Sequence, residues 1–325
     1  MKIEGIEKRV DPDLLPIFAT MTESYEFPAD LPAARKAQKE AMGALSRAGS
    51  SPDVQIEERN LPGADGTHEF MVRIYSPNPK PASALPVIIW AHGGGFVVGH
   101  PVEHDNIAIN LVRVAGCVVV SVDYRLAPEN PFPAGLEDCY SALQWVAANG
   151  ADLGFDPGRV AVGGYSAGGS LAGGLALLAR DRGGPALVFQ MLLCSSLDDR
   201  MTTASSKEPT DGRMLTREIL ESAWNNYLPG VNRAETSLYA SPARATDLTG
   251  LPPAYFGVGE LDLLRDEGFE YASRLAQAGI GVEYHIFPGA FHGFELFQPD
   301  SELGQRALNE YGAVLKRAFR LSHKS

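Results

Sequence analysis

The chain's 325 residues are 45% hydrophobic and 21% charged, a globular composition that excludes a disordered or coiled-coil protein. Against 28 basic residues stand 40 acidic ones, a net charge of −12 with no local basic cluster, so nucleic acid and anionic membrane surfaces are poor partners. The three cysteines, Cys117, Cys139 and Cys194, lie among apolar neighbours with no CxxC spacing, which reads as buried thiols in a reducing compartment.

The opening MKIEGIEKRVDP lacks the apolar core of a secretory signal, and the longest weakly polar run, 167–179, falls short of the roughly 20 residues that span a bilayer. A cytoplasmic protein is expected. The first fifty residues read as helices. Pro12 follows Asp11 at an N1-like position, 31–47 is rich in Ala, Lys and Gln, and Gly49-Ser50-Ser51-Pro52 closes the segment. Period-2 alternation then appears in 54–60 and 68–76, across a turn signal at 62–66.

From residue 85, short apolar runs at 87–91, 117–122, 160–164, 188–194, 254–259 and 282–287 alternate with helical stretches at 103–115, 135–149, 166–182, 265–279 and 301–320. Runs without polar alternation imply strands buried on both faces, hence a mostly parallel sheet between helical layers. With the two leading strands, the expectation is an eight-stranded α/β sheet. Residues 197–250 break the rhythm and carry a separate helical patch at 216–228, the pattern of an inserted covering element. The chain is therefore read as a core, 51–325, with a helical cap built from 1–50 and about 198–245.

The run 160–164 leads through Gly164-Tyr165-Ser166-Ala167-Gly168 into the helix at 166–182. That is the strand–turn–helix setting in which G-x-S-x-G marks a nucleophile. The sharp turn needs small residues two positions either side of the serine. It also places the hydroxyl at a helix N-terminus, which favours developing negative charge. The strand 87–91 ends in His92-Gly93-Gly94-Gly95-Phe96, whose glycines let backbone N–H groups face a site with no side chain in the way. A phosphate-cradling loop is the competing reading, but neither G-x-G-x-x-G nor G-K-[ST] occurs there.

A triad on this scaffold runs Ser, then acid, then His. His285, His292 and His323 follow Ser166. His285 falls inside a strand, His323 in the polar tail, and His292 in a loop after the last strand, where catalytic groups gather. Glu260, Asp262 and Asp266 compete for the acid after 254–259. His100-Pro101-Val102-Glu103-His104 satisfies H-x-x-E-H, but Pro101 favours a helix start that leaves His100 outside it. This segment is read as a loop and helix start, not as a metal site.

Together these motifs resemble the hormone-sensitive-lipase-like family of microbial carboxylesterases. The likeness continues in Asp123-Tyr124-Arg125-Leu126-Ala127-Pro128-Glu129, in Asp156-Pro157 with Arg159-Val160-Ala161-Val162-Gly163-Gly164, and in Gly259-Glu260-Leu261-Asp262, and it covers about 85–320. It implies an α/β-hydrolase fold and a serine carboxylesterase acting on short- to medium-chain acyl esters. Ser166 would be the nucleophile, His292 the base and Asp262 the orienting acid. The Gly93, Gly94 and Ala167 N–H groups would form the oxyanion hole. No metal or cofactor is implied, and the family often dimerises through its last strand, here 282–287. The same triad would serve an amidase or a lactonase. A ligand-binding pseudo-hydrolase would have lost the base, whereas Ser166, Asp262 and His292 are all present. Three positions depart from the family pattern: Tyr165 for Asp, Leu263 for Pro, and Ser195-Ser196 for Tyr-Pro. Tyr165 and Ser195 would bear on the acyl pocket or the pH profile. The same machinery draws in much glycine, since ten of the 34 glycines occupy 93–99 and 163–174.

Overall fold

The two alternating segments close as a hairpin: β1 (Val54–Pro62) and β2 (Glu69–Pro77) pair antiparallel, from Val54 opposite Pro77 to Pro62 opposite Glu69. The structure is a computed structural model that describes residues 4–23, 26–48 and 51–322; His323 and the Gly49-Ser50 turn lie outside the described residues. Each apolar run becomes a strand: β3 (Leu85–Ala91), β4 (Val118–Asp123), β5 (Phe155–Tyr165), β6 (Phe189–Leu193), β7 (Ala254–Gly259) and β8 (Val282–Phe287). They form one eight-stranded sheet in the order β1-β2-β4-β3-β5-β6-β7-β8. β2 pairs antiparallel with β4, and every later pairing is parallel.

Parallel neighbours require helical crossovers, and the helices cover both faces. α3 (Asp105–Ala115) and α9 (Glu302–Leu321) pack on one face; α4 (Ala134–Asn149), α5 (Ala167–Asp181) and α7 (Arg265–Gln277) pack on the other. Alternate residues of one strand serve the two layers: Val87, Ile89 and Ala91 join the cluster with α5, while Ile88 and Trp90 join that with α9. On α9 the buried stripe is Leu303, Ala307, Leu308, Tyr311, Leu315 and Phe319, as the spacing predicts. The N-terminal segment supplies α1 (Leu15–Thr20) and α2 (Leu31–Ala48). The tract after β6 supplies α6 (Arg217–Tyr227), and the short α8 (Phe294–Phe297) follows the loop after β8.

β8 corrects one expectation. Its apolar run implied burial on both faces, yet Glu283 and Ile286 are exposed and only Phe287 is fully buried. The cause is position: β8 is the sheet's last strand and pairs only with β7. Register then places the functional loops. Ala91 lies opposite Gly164, and Gly259 opposite Phe287, so the glycine loop, the serine turn, the acid loop and the His292 loop all leave one edge of the sheet. The C-terminal edge of parallel strands is where open α/β sheets bind ligands.

Candidate active site

Ser166 joins β5 to α5 with φ +55° and ψ −119°, a backbone state that costs a non-glycine residue of order 1–3 kcal/mol and persists only where surroundings impose it. Hydrogen bonds at both its N–H and its carbonyl impose it. The Ser166 N–H donates to the Leu193 carbonyl (2.9 Å), and the Ser166 carbonyl accepts from the Gly169 N–H (2.9 Å) and the Ser196 N–H (3.2 Å). The flanking glycines are steric necessities: a Cβ on Gly164 would lie 2.1 Å from the Gly168 carbonyl oxygen, and one on Gly168 2.1 Å from that of Ala91. The Ser166 side chain makes no capping bond, and no described residue accepts from the Ala167 N–H at the start of α5. That N–H is one of the donors every helix leaves unpaired at its N-terminus.

The glycine loop sets Gly93 apart from Gly94 and Gly95. The Gly93 N–H is aimed at His104 Nε2, 3.1 Å away, and Gly93 is absent from the cavity wall, whereas Gly94 and Gly95 line the cavity with Ser166, Ala167 and His292. His104 also receives the Trp90 indole N–H at Nδ1, 3.2 Å away. A neutral imidazole accepts at only one nitrogen, but the Gly93 N–H points into this buried cluster in either tautomer. Burial pushes the His104 imidazole down to about 3, so it stays neutral. Gly94 has φ +116°, and a Cβ there would lie 2.0 Å from the Val98 carbonyl oxygen. Behind the loop, the His92 ring stacks on Tyr124 at 4.2 Å, and the Tyr124 hydroxyl donates to the His92 carbonyl at 2.8 Å. Arg35 of α2 holds the loop from outside, donating to the Val97 and Ala127 carbonyls at 2.7 Å each and pairing with Glu129.

Of the three competing acids, Asp262 meets the histidine: its Oδ2 lies 2.7 Å from His292 Nδ1, and its Oδ1 accepts the Leu264 N–H at 3.0 Å. Glu260 instead accepts the Gly289 N–H, and Asp266 accepts the Ser205 N–H while pairing with Arg265. The neighbouring Glu267, buried and pushed well up by desolvation, accepts the Leu197 and Asp198 N–H groups. Asp266 and Glu267 thus anchor the segment after β6. Burial draws the His292 imidazole down, but the Asp262 charge and hydrogen bond, with a contribution from Glu295, raise it above its ordinary value. His285 pairs instead with Glu310 on α9, at 2.7 Å.

Ser166 and His292 share a cavity of about 210 Å³. Its apolar wall comes from Phe27 before α2, Phe96 of the glycine loop, Leu215, and Ile219, Leu220 and Ala223. Phe96 stacks on Tyr227 of α6 with centroids 3.9 Å apart and meets Trp224 at 5.2 Å. Tyr165, one of the departures from the family pattern, is buried away from this wall, and Ser196 rather than Ser195 reaches the cavity. The expected effect on the acyl pocket therefore does not come through Tyr165. Ser195 packs where a Gly169 side chain would sit, 1.9 Å from the position of such a Cβ.

The H-x-x-E-H segment starts a short turn at Pro101 with His100 outside it, capping the Val102 N–H. Among the described residues, the His, Cys, Asp and Glu atoms close enough to hold a metal are those of Cys194, Asp262 and His292. There the carboxylate and imidazole are already joined by a hydrogen bond, and burial pushes the Cys194 thiol well up, away from the thiolate that binds metals.

A family model described as the alpha/beta hydrolase fold matches residues 88–296. A carboxylesterase of Mycobacterium tuberculosis, NlhH, is 42% identical over 271 residues, which are 82% of this chain and 84% of that one. The chain belongs to the hormone-sensitive-lipase-like carboxylesterases of the α/β-hydrolase superfamily. As such a hydrolase it acts on carboxylic esters. The structure of a bacterial heroin esterase, also of this fold, superposes with a TM-score of 0.89 at 41% identity, covering 96% of this chain and 99% of that one. An ethyl acetate hydrolase of Pseudomonas putida is 34% identical over 263 residues, 80% of this chain and 82% of that one. Among the described residues, no helix is long and apolar enough to cross a membrane.

Proposed function

We propose that this esterase works through Ser166, His292 and Asp262 on small acyl esters. The observation that carries the reading is the strained Ser166 backbone, on one cavity with a histidine already held by Asp262. His292 takes the Ser166 proton as the hydroxyl attacks the ester carbonyl. It then delivers that proton to the departing alcohol and activates water against the acyl-enzyme. Asp262 fixes the imidazole tautomer and stabilises the imidazolium, keeping its own charge throughout. The N–H groups of Gly94, Gly95 and Ala167 receive the oxyanion. Gly95 replaces Gly93 in this role, because the Gly93 N–H turns toward His104.

A cavity of about 210 Å³ with apolar walls suits short to medium acyl chains, and the names of the relatives that hydrolyse ethyl acetate and heroin point the same way. Residues 1–50 and about 198–245 act as the cap that shapes this cavity, with Phe27 and α6 forming its wall. Copies of the chain pair through β8, one of the sheet's two edge strands. A cytoplasmic location suits the three cysteines, which are free and buried.

The test is hydrolysis of p-nitrophenyl esters from acetate to palmitate by the wild type and Ser166→Ala. Activity should peak at the shorter chains and vanish in the variant. Undiminished turnover by Ser166→Ala would overturn the assignment.

A further inference from the structure

Behind His292 lies a second buried carboxylate that the reaction as drawn does not use. Glu295, on α8 three residues after the histidine, is fully buried. Its Oε2 accepts the Tyr165 hydroxyl at 3.0 Å, and its Oε1 accepts the Tyr311 hydroxyl of α9 at 2.8 Å. Tyr165 directly precedes Ser166, and its ring meets the His292 ring edge-on, centroids 5.8 Å apart. One carboxylate thus ties together the serine turn, the histidine loop and the last helix. Among the described residues no lysine or arginine pairs with it. A buried anion without a cation is costly, and His292, which becomes cationic during turnover, is close enough for its charge to favour the ionised carboxylate.

We propose that Glu295 is a positioning residue for ester hydrolysis, locking the His292 loop to the Ser166 turn through Tyr165 and stabilising the imidazolium with its charge. The proposal rests on His292 being the base. Facing the imidazole are Asp262 from the loop after β7, Cys194 at the end of β6, Tyr165 from the serine turn, and Glu295 itself. Facing Glu295 are Tyr165 and Tyr311, with Cys194 and Tyr255 close enough to feel its charge. Burial pushes the three tyrosines and the thiol up, so they stay neutral at working pH. Burial pushes the Glu295 carboxyl up, while the Tyr311 and Tyr165 hydroxyls and His292 favour its anion; the charges of Asp262 and Glu295 both favour the protonated imidazole.

The experiment is the pH profile of kcat/KM for p-nitrophenyl acetate in the wild type, Glu295→Gln, Glu295→Asp and Ser166→Ala. An amide at 295 can accept from one tyrosine and donate to the other, so Glu295→Gln should fold. Removing the anion makes the imidazole less basic. The acid-limb midpoint should therefore fall by about half a unit or more, with kcat down about 10-fold and KM within about 2-fold. Glu295→Asp keeps the charge and should hold the midpoint near the wild-type value. A lowered Tm with an unmoved acid limb would mean a structural tie only and overturn the proposal. If Glu295→Gln shows no cooperative melt, Tyr311→Phe takes its place: it removes one bond that stabilises the anion, and an unmoved midpoint there overturns the proposal equally. Hydrolysis by Ser166→Ala would instead sink the reading of the site. An inactive Ser166→Ala beside an unaltered Glu295→Gln profile sinks only this inference.

Discussion

On the proposed mechanism the base must be neutral to take a proton, so the state of His292 sets the acid side of the pH profile. Burial opposes its protonation, but the Asp262 charge and hydrogen bond outweigh that and lift the imidazole above 6.5. The wild-type kcat/KM should therefore rise with pH through a midpoint above that of an ordinary imidazole, as a profile with a soluble ester will read. Asp262→Asn should cut kcat by roughly 10⁴, the scale seen when a triad acid becomes an amide. Asp266→Asn should leave kcat nearly unchanged, because its carboxylate holds Ser205 and Arg265 rather than the base; its effect is a stability loss of about 1–3 kcal/mol, read as a lower Tm. The opposite ranking in kcat would reassign the acid. Gly94→Ala must place a Cβ 2.0 Å from the Val98 carbonyl oxygen at φ +116°. The loop should shift, with a loss of about 10²–10³ in kcat and a smaller change in KM.

At the scale of elements, α2 and α6 meet the glycine loop through a few contacts. α6 rests on the glycine loop through Trp224, Tyr227 and Phe96, and α2 grips the same loop through Arg35. Ile219→Ala opens the apolar wall without touching the serine or the N–H donors. It should raise the ratio of hexanoate to acetate kcat/KM roughly 10-fold, since each added methylene in an apolar pocket is worth about 1–3 kcal/mol. An unchanged ratio across the ester series would show that the acyl chain lies elsewhere. α6 was legible in the sequence as a helix, because its apolar spacing is local. Its place over Ser166 was not, because that depends on how the chain between β6 and β7 returns across the sheet.

The whole molecule places its chemistry on one edge of the sheet and leaves another edge open. β8 pairs with β7 alone and exposes Ile286 at 39%, so strand pairing between copies is available there. If the dimer forms through β8, Ile286→Lys should convert it to a monomer in light scattering, while activity per chain persists. The sequence by itself determined what short-range geometry dictates: the eight strands, the helical stripes, and the Gly164–Ser166–Gly168 spacing that a sharp turn requires. Only the tertiary structure decided which partners those residues meet. It set the Asp262 carboxylate against His292, turned the Gly93 N–H toward His104, and brought Glu295 to Tyr165, 130 residues away in the chain. These outcomes depend on strand register and on the direction of each N–H and side chain after packing. No window of sequence carries that information, because it is fixed only when distant segments share one core.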